Sequence, residues 1–171
     1  LSSLVGSEMC IRDRVDISFS VPEITGVWPA LWMMPEKSVY GNWPRSGEID
    51  IVETINEKSD ELVTTIHYGH DYHRQISKTT FLNQLTKLSN PIDHNKISLI
   101  WEEKYFEWLL NDQLVFKVNF NEVENLEPNP FLEEFYLLIN VAVGGNWPGT
   151  PNSTMYCNCL LYTSDAADDA G

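Results

Sequence analysis

Three carboxylates lie within six residues of the sequence, in the segment Glu48-Ile-Asp-Ile-Val-Glu53. In a regular β-strand, Glu48 and Asp50 share one face and Glu53 points to the opposite face. A β-bulge at Ile51-Val52 would absorb the extra residue and return Glu53 to the face of the other two acids. We therefore predict a bulged strand that presents all three carboxylates on one surface.

Carboxylates this close together can perform acid–base chemistry. Because they cannot all ionise cheaply, one should have a raised pKa and act as a general acid while another stays ionised as a nucleophile. A separation of about 5–5.5 Å between the Glu48 and Glu53 carboxyl groups would suit a retaining glycosidase, whereas an inverting enzyme needs a separation of about 6.5–9.5 Å. A solvated acidic strand face is the commoner reason for alternating Glu and Asp, so the pattern alone does not establish catalysis.

The composition of the chain narrows the kind of partner it can have. It has 25 Asp and Glu against 11 Lys and Arg in 171 residues, and a net charge of −14. This balance argues against nucleic-acid binding, because phosphate backbones are held by Lys and Arg. The sequence has no apolar run of about 18 residues, the length of a membrane-spanning helix. Its six Trp suit neutral, hydroxyl-rich ligands such as sugars, whose apolar ring faces stack on aromatic side chains.

The sequence around the acids has the pattern of short β-strands separated by turns, with almost no helical periodicity. The predicted strands are Val15–Pro22, Val27–Pro35, Gly47–Thr54, Leu62–Tyr68, Ile97–Trp101, Tyr105–Leu110, Gln113–Val118 and Phe135–Val143. In the second of these, Trp28 and Trp32 share one face. We expect Gly69–Leu88 to be irregular, and the almost continuously apolar Phe135–Val143 to be a central strand covered on both sides. The predicted fold class is all-β, a sandwich of the jelly-roll type.

Further motifs accompany the acids in a fixed order. They are Gly26-Val-Trp-Pro-Ala-Leu-Trp-Met-Met-Pro35, Tyr40-Gly-Asn-Trp-Pro-Arg-Ser-Gly-Glu-Ile-Asp-Ile-Val-Glu53, His67-Tyr-Gly69 and Asn140-Val-Ala-Val-Gly-Gly-Asn-Trp-Pro-Gly149. Over about residues 15–156, this series resembles glycoside hydrolase family 16, specifically its laminarinase-like endo-β-1,3-glucanases. The resemblance implies a curved, concanavalin-A-like jelly roll whose concave face forms a glycan cleft. It also implies retention of anomeric configuration, with Glu48 as nucleophile, Glu53 as general acid/base and Asp50 as the residue that positions and tunes Glu48.

The spacing of the acids bears on the linkage that is cleaved. The segment Glu48-x-Asp-x-x-Glu53 resembles the bulged form found in laminarinases and some galactan hydrolases, whereas mixed-linkage lichenases carry the shorter Glu-x-Asp-x-Glu. The expected substrate is therefore β-1,3-glucan of the laminarin type. The alternatives are mixed-linkage glucan or agar-type galactan as substrate, a non-catalytic β-glucan-binding module on the same fold and, more distantly, a metal-binding sandwich.

The resemblance also carries expectations about the setting of the protein. We expect a secreted, monomeric enzyme that acts on a polysaccharide and binds neither nucleic acid nor membrane. No organic cofactor is expected. In the full-length family fold a structural calcium is often built partly from terminal segments.

Six residues near the acids are the candidate substrate-binding residues: Trp32, Trp43, Arg45, His67, Asn146 and Trp147. Trp43 and Trp147 are flanked by Pro, Gly and Asn in loops, and we expect them to be sugar platforms. Trp28, Trp101 and Trp108 are embedded in apolar runs, and we expect them to lie in the core.

Two polar candidates have alternative interpretations. Arg45 can hydrogen-bond sugar hydroxyls or neutralise the acids. His67 is expected on the strand beside the carboxylates, where it orients one of them or is simply a buried histidine. Together with His70, His73 and Asp71 it could also form a zinc site. Because a spacing of three matches neither a helical pair nor strand alternation, we predict no metal site.

The two ends of the sequence differ from the middle. Residues 8–14 and 159–168 resemble in-frame translations of the transposon-end adapter used in preparing sequencing libraries. We therefore expect residues 1–14 and 159–171 to be non-native, and residues 15–158 to be a partial catalytic domain with natural sequence missing on both sides. A natural N-terminal arm and acidic tail are the alternative. The three cysteines, Cys10, Cys157 and Cys159, lie at the two extremes of the chain and provide no metal or redox framework.

Overall fold

The computed structural model describes residues 13–20, 25–55, 60–82 and 95–151, and these form nine β-strands and two short 3-10 helices. The strands are β1 (Arg14–Phe19), β2 (Val27–Pro35), β3 (Glu48–Glu53), β4 (Glu61–Tyr68), β5 (Arg74–Phe81), β6 (Asn95–Glu102), β7 (Tyr105–Leu110), β8 (Gln113–Asn119) and β9 (Phe135–Val143). The 3-10 helices, Phe120–Glu122 and Pro130–Leu132, lie between β8 and β9. Within these ranges no helix has the length and apolar character that a membrane span requires.

The strands pair in two antiparallel sheets. One sheet has the order β1-β6-β7-β8 and the other the order β5-β4-β3-β2-β9. Strands β2, β4, β6, β7 and β9 begin and end within two residues of the predicted bounds. The predicted all-β sandwich is therefore confirmed.

The core lies between the two sheets, and several strands contribute alternate side chains to it. In β7, for example, Phe106, Trp108 and Leu110 are buried while the residues between them are half-buried. Trp101 is buried as well, and its indole N–H donates to the backbone oxygen of Phe131 over 3.0 Å. Trp101 and Trp108 therefore lie in the core, as the sequence predicted.

The segment expected to be irregular contains a strand. Residues Arg74–Phe81 form β5, which pairs with β4 along its whole length at the edge of the described sheet. Most of its side chains are exposed or half-buried. The segment therefore lacks the alternation of apolar and polar residues by which a strand is predicted from sequence. The prediction for Gly69–Leu88 was wrong here because strand formation at a sheet edge depends on pairing rather than on a buried apolar face.

The last described strand also differs from its prediction. Among the described strands, β9 lies at the end of its sheet and pairs only with β2. Ile139, Val141 and Val143 are each about half exposed, with relative accessibilities of 50, 52 and 49%. The expectation of a central strand covered on both sides was therefore wrong, because an apolar run shows what a strand can bury and not what packs against it.

Candidate active site

The acidic segment forms β3 and contains the predicted bulge. Across β2, Asp50 pairs with Trp32 and Val52 pairs with Leu31, which leaves Ile51 without a partner. Across β4, the pairing also slips between Asp50 and Glu53, so two residues oppose one. The bulge at Ile51-Val52 is confirmed, and both of these side chains are buried in the core.

A glycine sets the entry into this strand. Gly47 has a φ of +82°, which an L-residue adopts only with strain. A Cβ at this position would lie 3.0 Å from the Phe131 ring and 3.1 Å from the Phe135 ring. Glycine therefore lets β3 begin directly against the core while Glu48, the next residue, turns away from it.

Because of the bulge, each of the two glutamates is held by an indole on the same side of the sheet. Glu48 Oε2 accepts a hydrogen bond from Nε1 of Trp43, in the loop before β3. Glu53 Oε1 accepts one from Nε1 of Trp28, on β2, over 3.0 Å. The negative charge of Asp50 raises the pKa of both glutamates, which places the three carboxylates in one electrostatic cluster.

Asp50 is the most buried of the three acids, with 3% of its surface accessible. His67, from β4, brings its Nε2 to 3.0 Å from Oδ2 of Asp50, in a close polar contact that is not aligned as a regular hydrogen bond. The other ring nitrogen of His67, Nδ1, lies 2.8 Å from Nε2 of His73. His67 is thus beside the carboxylates, as predicted, and oriented towards Asp50.

Burial controls the ionisation of this cluster. It raises the pKa of Asp50 to about 7, and burial together with the charge of Asp50 raises the pKa of Glu53 to about 7. Burial and the charge of Asp50 raise the pKa of Glu48 as well, against the effects of His67 and the Trp43 hydrogen bond. The pKa of His67 is lowered by burial. Asp50 and Glu53 therefore titrate near neutral pH, and because the three carboxylates interact, the loss of a proton from one affects the other two.

Three tryptophans of the predicted binding set lie around the acids. Trp43 and Trp147 are exposed, with 50% and 41% of their surfaces accessible, as platforms for a ligand would be. Trp32 lies on the same face of β2 as Trp28, and its indole N–H donates to Oδ1 of Asn140 over 2.7 Å. Asn140, on β9, was not among the predicted site residues.

The remaining two candidates are less closely tied to the acids. Arg45 is exposed in the loop that carries Trp43, and its side chain lies beside Gly41. Among the described residues, no contact joins it to the carboxylates, so it does not neutralise them directly. Asn146 is exposed in the turn after β9. Contact of Arg45 and Asn146 with sugar stays a prediction.

Trp28 belongs to this site and not to the core, which corrects the sequence expectation. It is half-buried, donates to Glu53 and packs edge-on against Trp147, with ring centroids 4.8 Å apart. The apolar run around it suggested burial on both sides. The signal for its true position was present, since period-two alternation places Trp28 on the face of Trp32.

The structure does not assemble the histidines and Asp71 into a metal-binding group. His67 and His73 meet, but His70 and Asp71 are exposed and do not join them within the described residues. Glu48, Asp50 and His67 do offer ligand atoms within 4.8 Å of one another. These atoms already face each other or the Trp43 N–H, so the arrangement is explained as a hydrogen-bonded carboxylate site.

Comparisons with known proteins agree with this geometry. Residues 11–99 match the family model described as XgeA-like, catalytic GH16 domain. Glucan endo-1,3-beta-glucosidase A1 from Niallia circulans is 38% identical over 158 residues, covering 82% of this chain and 22% of the relative. Endo-1,3-1,4-beta-glycanase ExsH from Rhizobium meliloti is 27% identical over 131 residues, covering 77% of this chain and 24% of the relative. The laminarinase catalytic domain from Thermotoga maritima superposes with a TM-score of 0.76 at 29% identity, covering 89% of this chain and 61% of that chain.

The chain thus spans less than two thirds of the length of each of these proteins. The structural likeness confirms the predicted jelly roll. The names of the relatives include two linkage specificities, so similarity alone does not assign the linkage to this chain.

Proposed function

The chain belongs to glycoside hydrolase family 16, and on that premise we propose that it is an endo-acting, retaining hydrolase of β-1,3-glucan. The single observation that carries the proposal is the bulge in β3. It brings Glu48 and Glu53 to one face around the buried Asp50, with an indole N–H holding each glutamate. A proton donor and a nucleophile are thereby available at one surface.

In the first step, Glu53 gives its proton to the glycosidic oxygen as the bond from that oxygen to the anomeric carbon breaks. Glu48 attacks the anomeric carbon and forms a covalent glycosyl ester. A pKa of about 7 keeps Glu53 largely protonated up to neutral pH, which is the state that a general acid needs. Asp50 tunes both glutamates through its charge.

In the second step, Glu53, now a carboxylate, takes a proton from a water molecule that attacks the anomeric carbon. The ester to Glu48 breaks, the sugar leaves with its original configuration, and both glutamates return to their starting states. No organic cofactor is required, because side chains supply both the proton and the nucleophile. The Trp43 hydrogen bond favours the ionised form of Glu48, which is the state that a nucleophile needs.

A non-catalytic glucan-binding surface explains the aromatic residues but not the acids. Burial of Asp50 and Glu53 is unfavourable for folding above neutral pH, since it raises the pKa of both groups to about 7. A binding surface gains nothing from that instability. Strained or destabilised groups of this kind concentrate at catalytic sites, which supports the catalytic proposal.

The proposed substrate follows from the exposed aromatic residues and the spacing of the acids. Trp43 lies beside Glu48 and Trp147 lies beyond Trp28, so exposed rings flank both glutamates along the sheet. Such an open row suits internal sites of a long, neutral polysaccharide. The five-residue separation of Glu48 and Glu53 supports β-1,3-glucan. Because such a polymer is met outside the cell, we propose that the protein is secreted.

The experiment that tests this proposal is release of reducing ends from laminarin, lichenan and agarose by a full-length protein that carries this domain. Glu48→Gln removes the nucleophile, and Glu102→Gln makes the same change at an exposed position of β6. We expect the highest rate on laminarin, loss of that rate in Glu48→Gln, and an unchanged rate in Glu102→Gln. A higher rate on lichenan or agarose would overturn the linkage. Laminarin binding without turnover would favour the binding module.

A further inference from the structure

His73 lies against the site but has no role in the mechanism above. The loop after β4 turns back at Gly69, whose φ is +126° and where a Cβ would lie 2.1 Å from the backbone oxygen of Tyr72. This tight return brings the His73 ring beside that of His67, with centroids 5.0 Å apart, and beside that of Trp43, at 4.7 Å. Only glycine fits that turn, so the position of His73 is fixed by the backbone.

The contact between the two histidines has a definite direction. Nδ1 of His67 and Nε2 of His73 are 2.8 Å apart, so one proton lies between them. Nε2 of His67 lies 3.0 Å from Oδ2 of Asp50. When Asp50 is ionised, the tautomer with its proton on Nε2 is favoured, because an unprotonated nitrogen would otherwise face a carboxylate oxygen at this distance. Nδ1 is then an acceptor, since burial lowers the pKa of His67 and keeps the ring neutral. His73 has to be the donor.

We propose that His73 is a positioning residue, whose Nε2–H donates to Nδ1 of His67 and so fixes the ring and its Nε2–H against Asp50. Two further observations agree with this role. His73 is exposed, and among the described residues no hydrogen bond or ion pair joins it to a carboxylate, so its most direct link to Asp50 is through His67. Its ring contacts both His67 and Trp43, which restricts its rotation.

The groups that face His73 come from three elements. His67 faces it from β4, Glu48 acts on it from β3, and Trp43 faces it from the loop before β3. The neighbouring cation, Arg74, is turned to the Tyr72 ring, 3.7 Å from its centroid. The pKa of His73 is lowered by burial and by His67, which favours the neutral donor that the proposal requires.

Nitrogen-15 NMR of the histidine rings tests the hydrogen bond directly. At pH 8, above the pKa of about 7 of Asp50, His67 should carry its proton on Nε2 and His73 should donate from Nε2. The Nδ1 resonance of His67 should shift in His73→Phe, which keeps an aromatic ring but has no donor. It should stay in place in His70→Phe, the same change in the same loop. A proton on Nδ1 of His67 in the parent chain would overturn the proposal.

The pH dependence of laminarin hydrolysis gives the second readout, and this arm rests on the proposed function. Without a fixed Nε2–H, ionised Asp50 loses a stabilising partner, so the carboxylate cluster binds protons more tightly. In His73→Phe the acid limb of kcat/KM should move up by about 0.5–1 pH unit, the size expected when a carboxylate loses a close polar contact. His73→Gln, whose amide can donate, should restore the limb, and His70→Phe should leave it unchanged. An unmoved limb in His73→Phe would contradict the proposal.

The two readouts separate this inference from the proposed function. If the chain does not hydrolyse laminarin, the NMR experiment still decides which histidine donates. If it does hydrolyse laminarin but Nδ1 of His67 is unaffected by His73→Phe, the positioning role alone is wrong. Should His73→Phe fail to fold, the parent chain and His73→Gln still report the proton positions.

Discussion

Glu53→Gln should stabilise the folded chain at pH 8 and leave its stability unchanged at pH 4. Glu53 is largely buried beside Asp50, and the two effects raise its pKa from the ordinary 4.5 to about 7. Gln has the same shape, cannot ionise, and keeps an oxygen that accepts from the Trp28 N–H. The substitution therefore removes the charge while preserving the contacts of the side chain.

The sign and size of the effect follow from the two pKa values. Below pH 4.5 Glu53 is protonated in both the folded and the unfolded chain, so the raised pKa does not lower the free energy of unfolding there. As the pH rises towards 7, the unfolded chain loses this proton first and the folded state loses stability. At about 1.4 kcal/mol per pH unit, the interval from 4.5 to about 7 corresponds to roughly 3 kcal/mol. Partial exposure and coupling to Asp50 reduce this, so we expect a gain of about 1–3 kcal/mol.

Urea unfolding at pH 4 and pH 8 measures this difference. The free energy of unfolding of Glu53→Gln should exceed that of the parent chain at pH 8 and equal it at pH 4. Glu102→Gln, at an exposed position of β6, should show no such dependence. A loss of stability in Glu53→Gln at pH 8 would refute the reasoning, because it would mean that the charged form is the one the fold stabilises.

Three further predictions concern the pH profile and binding. Trp28→Phe removes a donor to the carboxylate of Glu53, so its pKa should rise further and the alkaline limb of kcat/KM should move up by about 1 pH unit; a downward shift would contradict this. Asp50→Asn removes the charge that raises the pKa of Glu53, so that limb should move down by about 1 unit, and an unmoved limb would contradict the coupling. Trp43→Ala should weaken laminarihexaose binding about tenfold by calorimetry, whereas Trp43→Phe should keep binding but slow turnover. If the two variants lost the same binding affinity, Trp43 would not be a stacking platform.

The acidic strand could be predicted from sequence because its geometry follows from the number of residues between the acids. Side chains alternate along a strand, so the five-residue separation of Glu48 and Glu53 requires a bulge if they are to share a face. The structure has that bulge where it was predicted, at Ile51-Val52. The core positions of Trp101 and Trp108 were predictable for a similar reason, since alternation places Trp101 on the face of Leu99 and Trp108 on the face of Phe106 and Leu110.

The features that the sequence did not reveal depend on contacts between distant segments. Trp28 has core-like neighbours in the chain, but its partners, Glu53 and Trp147, come from other elements. His73 lies in a polar stretch of the sequence. Its proposed role depends on the fold of β4 and the loop after it, which brings its ring beside that of His67. Such pairings are set by the tertiary fold, which local patterns do not encode.

The covalent intermediate on Glu48 is the most direct test of the account. A 2-deoxy-2-fluoro laminaribioside with a dinitrophenolate leaving group should react in the first step but resist the second, because fluorine destabilises the oxocarbenium-like transition state. Mass spectrometry of the digested chain should then find the fluorinated disaccharide on the peptide that contains Glu48, and Glu48→Gln should carry none. A label on Glu53, or laminarin hydrolysis without any labelled peptide, would contradict the assignment of Glu48 as the nucleophile of a retaining hydrolase.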